Sequence, residues 1–291
     1  MFVSGFTIAR NVVKADYPLK EAILSILPIC DEMVVAVGDS NDETLEFVRS
    51  IDSDKIKIIE TVWDDTMREG GKVLAIETNK ALDAISEKAD WCFYIQADEC
   101  LHEQYLDTVK NAMEKHLNNK HVEGLLFNYR HFYGSYDYEA NSRNWYRKEI
   151  RVIRNNKAIR SYKDAQGFRI NDRKLNVKAI DAWIFHYGWV KHPKFQLEKL
   201  KQARKLWHSD EFLEKEYANV DEFDFSVVDS LVRYPGSHPK VMQERISAKN
   251  WFFEHDISIK RMGFKKRLLH IIESISGWRV GENRNYKVIR D

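Results

Sequence analysis

The stretch that most constrains the fold is Trp91–Glu99, in which five large or apolar residues are followed abruptly by polar ones and two acids. An unbroken apolar run is typical of a strand that is buried on both faces, as in a parallel sheet. Open α/β sheets bind ligands at the carboxyl ends of their strands. The pattern therefore predicts that Asp98 and Glu99 lie beside a ligand site.

Strands and helices alternate on the N-terminal side of this stretch. Short apolar runs predict the strands, and apolar residues at helical spacing predict the helices between them. Such alternation predicts a parallel sheet with right-handed crossovers. The predicted elements are strands at Phe2–Ala9, Met33–Val37, Ile56–Val62 and Trp91–Ile95, with helices at Asp16–Ile29, Leu45–Ile51, Lys72–Lys88 and Leu101–Met113.

The pattern changes after residue 120. Gly124–Tyr129, Ile150–Arg154 and Trp183–Phe185 predict further strands, and helical spacing dominates from Pro193 onward. We therefore expect an α/β fold, with a Rossmann-like, mostly parallel sheet flanked by helices and a helical C-terminal extension. A boundary between the two parts is expected near residue 192.

Composition narrows the class of protein. The chain has 291 residues, 44% of them hydrophobic and 31% charged, with a net charge of +1. This profile is typical of a folded globular protein and offers no general basic excess for nucleic acid. Three cysteines without a C-x-x-C pair predict neither a disulfide framework nor a zinc cage.

Location is predicted from the absence of targeting signals. We see no signal peptide and no apolar run long enough to span a membrane, so a cytoplasmic protein is expected. The basic segment Lys260–Arg267 adjoins an apolar stripe. It is consistent with contact to anionic lipid at the inner face of a membrane, or with a solvated basic face.

Polar residues follow three of the predicted strands, as Arg10, Asp39 and the pair Asp98-Glu99. The carboxyl ends of parallel strands share one edge of a sheet, so these side chains can converge. A carboxylate in such a place can instead cap the next helix. Two adjacent acids need more than a cap, because they repel each other unless a cation offsets their charge.

Three of these segments resemble the successive signatures of glycosyltransferase family 2, which has the GT-A fold. They are Thr7–Asn11, Asp39–Thr44 and Gln96–Glu99, and the resemblance covers about residues 1–190. It implies an inverting hexosyl transfer from a nucleotide diphosphate-sugar to a hydroxyl acceptor. Residues 1–192 would form the catalytic domain, with 1–120 for the donor and 121–192 for the acceptor, and 193–291 would form the extension.

The resemblance also implies roles for particular residues. The loops after the first two strands would hold the nucleotide, and a basic residue before the third helix would meet the diphosphate. The donor-binding residues expected on this basis are Thr7, Ala9, Arg10, Asp39, Arg68, Lys72, Gln96 and Glu99.

A divalent cation, Mn²⁺ or Mg²⁺, is implied at Asp98, with His186 as a second ligand. The alternative for His186 is a hydrogen-bonded core histidine. The family commonly has an acid where this chain has Gln96. An amide lowers the charge of the site and keeps one carbonyl oxygen, so the metal is expected to depend on oxygens of the bound donor.

A general base must take the proton of the acceptor hydroxyl. Asp164 lies where the family's catalytic acid falls, and Glu149 is the rival. The alternative for Asp164 is a turn acid paired with Lys163 or Arg160.

The expected acceptor is a glycan or lipid-linked glycan of the cell surface. The rival functions are a sugar-phosphate nucleotidyltransferase and a non-catalytic glycan-binding or partner-binding protein. The segment Arg10–Val13 has no glycine, which argues against the glycine-rich loop of the nucleotidyltransferases.

Overall fold

The structure is a computed structural model that describes residues 1–290. The strands are β1 (Val3–Ala9), β2 (Glu32–Gly38), β3 (Ile56–Thr61), β4 (Trp91–Tyr94), β5 (Glu99–Leu101), β6 (Gly124–Tyr133), β7 (Ser135–Ala140), β8 (Lys148–Arg154), β9 (Ile159–Tyr162), β10 (Gly167–Ile170), β11 (Arg173–Lys174), β12 (Asn176–Trp189), β13 (Leu231–Arg233) and β14 (Lys287–Val288). The helices are α1 (Leu19–Ile26), α2 (Thr44–Arg49), α3 (Lys72–Asp83), α4 (Leu106–His116), α5 (Pro193–Arg204), α6 (Asp210–Tyr217), α7 (Gln243–Ser247) and α8 (Phe264–Ser276).

The first four strands form the parallel part of a central sheet, in the order β4-β1-β2-β3. A helix precedes each of β2, β3 and β4, as the alternating sequence pattern predicts. Apolar residues cover both faces: Val35 and Phe93 belong to one core cluster, and Phe6 and Tyr94 to another. The α/β class is therefore confirmed, and the carboxyl ends of these strands share one edge.

The rest of the central sheet is mixed rather than mostly parallel. Strand β8 pairs antiparallel with β4 and with β6, whereas β12 runs parallel to β6 and antiparallel to β5. Among residues 1–290 this sheet contains eleven strands, and β9–β11 form a separate small sheet. The sequence predicts parallel pairing for β1 to β4, because helices alternate with these strands. Most later strands are not separated by helices, so the pattern does not predict their direction.

The first helix begins later than the sequence suggests. Helix α1 starts at Leu19, because the preceding segment forms turns with positive φ at Asn11 (52°) and Asp16 (49°). The helix after β2 begins at Thr44, whose backbone N–H donates to Asp42 Oδ1 at 3.0 Å. Asp42 therefore acts as a local cap at the start of α2.

The C-terminal part contains α5 to α8, but helices cover fewer than half of residues 193–290, and this part also contributes strands. Strand β13 pairs with β7, and β14 pairs with β12. The division of the chain into domains at residue 192 stays a prediction. Within residues 1–290, every helix is too short or too polar to cross a lipid bilayer.

Candidate functional site

A cavity of about 660 Å³ opens at the carboxyl ends of β1 and β4. Its wall also includes residues that follow β3, a turn between β9 and β10, and one face of α5. Six residues predicted from sequence line it: Arg10, Arg68, Gln96, Asp98, Asp164 and His186.

The other predicted site residues lie outside the cavity wall. Thr7 and Ala9 are buried on one face of β1, whereas Ile8 between them points to the other face and lines the cavity. Asp39 is exposed and lies 3.5 Å from Arg10, which does line the cavity. Lys72 is exposed and pairs with Glu69. Their contacts with a nucleotide stay predictions, and for Thr7 and Ala9 only the backbone could make them.

Glu99 forms a buried ion pair. Its carboxylate accepts two hydrogen bonds from Arg151, at 2.7 and 2.8 Å, and a third from the Tyr129 hydroxyl at 2.8 Å. Both charged side chains are fully buried. This geometry does not support the predicted contact of Glu99 with a donor. The guanidinium instead supplies one of the cations that the adjacent acids require.

Asp98 has its own cation in Lys199. The ammonium donates to Asp98 Oδ2 at 2.9 Å and to the carbonyl of Gly188 at 2.7 Å. Burial alone would raise the pKa of the Asp98 carboxyl, but the Lys199 ammonium holds that pKa well below its usual range. Neither acid caps a helix, since β5 intervenes and His102 accepts from Gln104 at the next helical turn.

His186 and His131 form a pair of buried imidazoles that contact each other. His131 Nε2 lies 2.7 Å from the Tyr146 carbonyl, and the two Nδ1 atoms of His131 and His186 are 3.2 Å apart. Burial lowers the pKa of both rings, so both are neutral at pH 7. His131 must donate through Nε2 to the carbonyl, so its Nδ1 accepts from His186. His186 Nε2 is therefore left with a lone pair, 3.7 Å from Asp98 Oδ2.

The oxygen atoms that could bind a divalent cation already have cationic partners. Asp98 Oδ2 already accepts from Lys199, and Gln96 Oε1 lies 3.4 Å from an Arg151 nitrogen. Among residues 1–290, no three His, Cys, Asp or Glu side chains converge as a metal-binding group. A dication would also lie close to the Lys199 ammonium, which repels it. The residues present therefore do not fit a divalent cation.

One end of the cavity combines a cation with an aromatic ring. The Arg10 guanidinium lies 5.3 Å from the centroid of the Trp63 ring and forms two hydrogen bonds to Asp65. The Trp63 backbone N–H donates to Asp39 Oδ1 at 3.0 Å. The indole packs so closely on Gly38 that a Cβ there would lie 2.3 Å from Trp63 Nε1. A planar, π-faced ligand group suits this end.

Asp164 lies in the wall on an unusual turn. Its neighbours Lys163 and Ala165 both have positive φ, 54° and 60°, which costs non-glycine residues roughly 1 kcal/mol or more each. Such strain tends to persist at functional sites. Glu149 does not line the cavity. It is buried, one carboxylate oxygen has no partner, and burial raises its pKa to about 8.

The sequence reasoning missed the contribution of the C-terminal helices. Helix α5 and the residues after it contribute Lys201, Gln202, Lys205 and Trp207 to the cavity wall. Arg68 is held by α6, through a 2.8 Å contact with Asp210. Helical spacing alone indicates a helix here, but the face that meets the cavity depends on how the helix docks.

Comparisons with known proteins give remote structural similarity only. No protein-family model matches the chain, and no curated protein matches it in sequence. Solved structures similar to it include S. aureus TarS, at 15% identity and a TM-score of 0.41, over 76% of this chain. The chain spans 40% of the length of that TarS structure.

Further solved structures show the same level of similarity. TarS 1–349 in complex with UDP is 16% identical, with a TM-score of 0.39 over 76% of this chain and 73% of that one. Mycobacterium tuberculosis glucosyl-3-phosphoglycerate synthase, in complex with Mn²⁺, UDP and phosphoglyceric acid, is 18% identical, with a TM-score of 0.30 over 45% and 43%. A 4-diphosphocytidyl-2C-methyl-D-erythritol synthase from Anaerococcus prevotii is 12% identical, with a TM-score of 0.33 over 84% and 93%.

Proposed function

We propose that the protein is a GT-A glycosyltransferase that moves a sugar from a nucleoside diphosphate-sugar to a hydroxyl acceptor. One observation carries the proposal. A single cavity at the carboxyl ends of parallel strands combines a cation and an aromatic ring at one end, a cationic wall, and a carboxylate on a strained turn. These are the groups needed for a nucleotide base, a diphosphate and an acceptor hydroxyl.

In the proposed reaction, Asp164 accepts the proton of the acceptor hydroxyl as its oxygen forms a bond to the anomeric carbon. The bond from that carbon to the diphosphate oxygen breaks, and the nucleoside diphosphate leaves with the electron pair. A single displacement of this kind inverts the anomeric centre. Glu149 is a poorer base, because a pKa of about 8 keeps it largely protonated at neutral pH.

The exposed face of α8 supports a lipid-linked acceptor. Phe264, Leu268, Ile271 and Ile275 recur at intervals of three or four residues and are all exposed, so they form one apolar stripe. We refer to these four residues as the α8 stripe. We propose that it lies on an anionic membrane surface, which would bring the cavity close to a surface-glycan intermediate.

Charge on α8 favours a lipid surface over a second copy of the chain. Lys265 and Arg267 are exposed next to the α8 stripe, and the acid of the helix, Glu273, points inward to Arg143 and Arg279 at 2.7 Å. Two copies meeting through this face would oppose their cations. An anionic headgroup layer instead attracts each nearby cation by about 1 kcal/mol.

The transfer reaction is tested with Asp164→Asn. We expect nucleoside diphosphate binding within about twofold of wild type and a rate of sugar transfer or donor hydrolysis reduced by about a hundredfold or more. Binding is measured by thermal shift with UDP, GDP, ADP, CDP and dTDP, and turnover by release of the same diphosphates from their sugars. If none of the five stabilises the wild-type protein, the transferase proposal fails.

A further inference from the structure

The face of α5 that meets the cavity has a regular spacing. Glu198, Lys201, Gln202 and Lys205 recur at intervals of three and four residues, so they lie on one side of the helix and its last turn. All four line the cavity. The helix therefore presents two ammonium groups and one carboxylate to the same space.

The carboxylate on this face is already neutralised. Glu198 Oε1 lies 3.2 Å from the Lys14 ammonium and accepts from the Gln202 amide at 3.1 Å. Within residues 1–290, neither Lys201 nor Lys205 forms a direct ion pair, and the Lys201 ammonium lies 5.6 Å from the centroid of the Tyr217 ring. At longer range Lys201 helps to lower the pKa of Glu198, and Lys205 helps to lower the pKa of Asp65 and of Asp210. Two cations on this face are therefore left for an anionic ligand.

The remaining cations of the cavity wall are paired. Arg10 contacts Asp65, and Arg68 contacts Asp210 at 2.8 Å. Lys199, next to Glu198 on α5, offsets the charge of Asp98. Asp98 therefore offers little attraction for an added dication, whereas Lys201 and Lys205 offer two ammonium groups that no carboxylate contacts directly to a dianion or trianion.

We propose that Lys201 and Lys205 bind the diphosphate of the donor and supply the positive charge on which its departure depends, in place of a divalent cation. This inference rests on the proposed function. As the bond between the anomeric carbon and the diphosphate oxygen breaks, that oxygen keeps the electron pair. The two ammonium groups offset the charge that it gains.

The test measures binding by isothermal titration calorimetry in EDTA, and again with Mn²⁺. The ligands are UDP, GDP, ADP, CDP, dTDP, uridine and inorganic pyrophosphate. The variant is K201M/K205M, which keeps most of the apolar stems. The matched control is Lys194→Met, because Lys194 lies on α5 but is exposed outside the cavity.

We expect the wild-type protein to bind at least one nucleoside diphosphate in EDTA. K201M/K205M should bind that diphosphate about tenfold or more weakly, as expected for lost charge-assisted contacts. Any affinity for the bare nucleoside should not change, and Lys194→Met should match wild type. Circular dichroism and thermal unfolding check that each variant folds. If the double variant does not fold, the same titrations are made with Lys201→Met and Lys205→Met singly.

Two results would overturn the inference and leave the proposed function standing. One is a dissociation constant of K201M/K205M for the nucleoside diphosphate within about twofold of the wild-type value. The other is wild-type binding that appears only with Mn²⁺. A wild-type protein that binds no nucleoside diphosphate under either condition would overturn the proposed function, and this inference with it.

Discussion

Gly188 determines how closely Asp98 and His186 can approach the backbone of β12. A Cβ at this position would lie 2.7 Å from Asp98 Oδ2 and 2.7 Å from a carbon of the His186 ring. Neither neighbour can move freely, because Lys199 holds the carboxylate and His131 holds the imidazole. The glycine is therefore required by space rather than by backbone conformation.

Gly188→Ala is expected to lower the free energy of unfolding by about 1–3 kcal/mol, the usual cost of overpacking a buried site. It should also weaken nucleoside diphosphate binding, since it displaces groups in the cavity wall. Denaturant unfolding and calorimetry measure the two effects. Gly263→Ala is the matched control, because a Cβ there meets nothing within 4 Å. Equal stability of the two variants would contradict the close contact.

Glu149 predicts a particular pH dependence of stability. Its pKa is about 8 in the folded protein, chiefly because of burial, and close to 4.3 when unfolded. Between these values the folded state binds the proton more tightly, so this residue lowers the free energy of unfolding as pH rises from about 4 to 8. Glu149→Gln removes that contribution.

The expected result is that Glu149→Gln gains stability relative to wild type as the pH rises from 5 to about 8, where the raised pKa lies. Urea unfolding across that range measures the difference. Glu46→Gln, on the exposed side of α2, is the control and should follow the wild-type profile. A constant difference between Glu149→Gln and wild type would show that Glu149 is not protonated by burial.

At the scale of elements, the sequence predicts the strand ends better than the helix faces. Arg10 and Asp98 reach one cavity because the neighbouring strands β1 and β4 end at a common edge, whereas His186 lies within β12 and joins them through the pairing of β12 with β5. The partner of Glu99 could not be predicted, because Arg151 lies 52 positions away and is fixed only by the pairing of β8. For the same reason, Lys201 and Lys205 became visible as site residues only once α5 was docked.

Helix α8 gives a prediction of its own. Leu268→Ser with Ile275→Ser should reduce co-sedimentation with vesicles that contain phosphatidylglycerol, because it removes half of the α8 stripe. Lys265→Gln with Arg267→Gln should reduce it as well, and the loss should resemble the effect of added salt. Wild type should bind pure phosphatidylcholine vesicles only weakly.

The control for α8 is Val227→Ser, because Val227 is exposed (71%) but lies outside this helix. It should bind vesicles as wild type does. Undiminished vesicle binding by both double variants would contradict the membrane surface. A concentration-dependent dimer that the apolar variant abolishes, without vesicle binding by wild type, would assign the α8 stripe to a second copy of the chain instead.

At the scale of the whole molecule, residues far away in the sequence hold the segment between β1 and α1 in place. The Lys191 ammonium donates to the carbonyls of Ala15 and Asp16, at 2.7 and 3.1 Å. Arg245 contacts the Asp16 carboxylate at 2.6 Å. This segment contributes Asn11 and Lys14 to the cavity wall. Contacts that stabilise the folded chain therefore also fix the positions of these two residues at the site.

Lys191→Met is expected to lower the free energy of unfolding by about 2 kcal/mol, since one buried and one partly buried carbonyl lose their donor. The melting temperature should fall by about 5 °C. Differential scanning calorimetry measures both quantities. Lys110→Met, on the exposed face of α4, is the control and should melt with wild type. A melting temperature unchanged by Lys191→Met would show that the segment is held by other contacts.

The positions of two tryptophans have a practical consequence. Trp63 and Trp207 line the cavity, one from the loop after β3 and one from the residues after α5, among eight tryptophans in the chain. Their indoles report on the same space from its two walls. Occupancy can therefore be followed by quenching of intrinsic emission without any label, and Trp63→Phe and Trp207→Phe resolve which wall a ligand touches first.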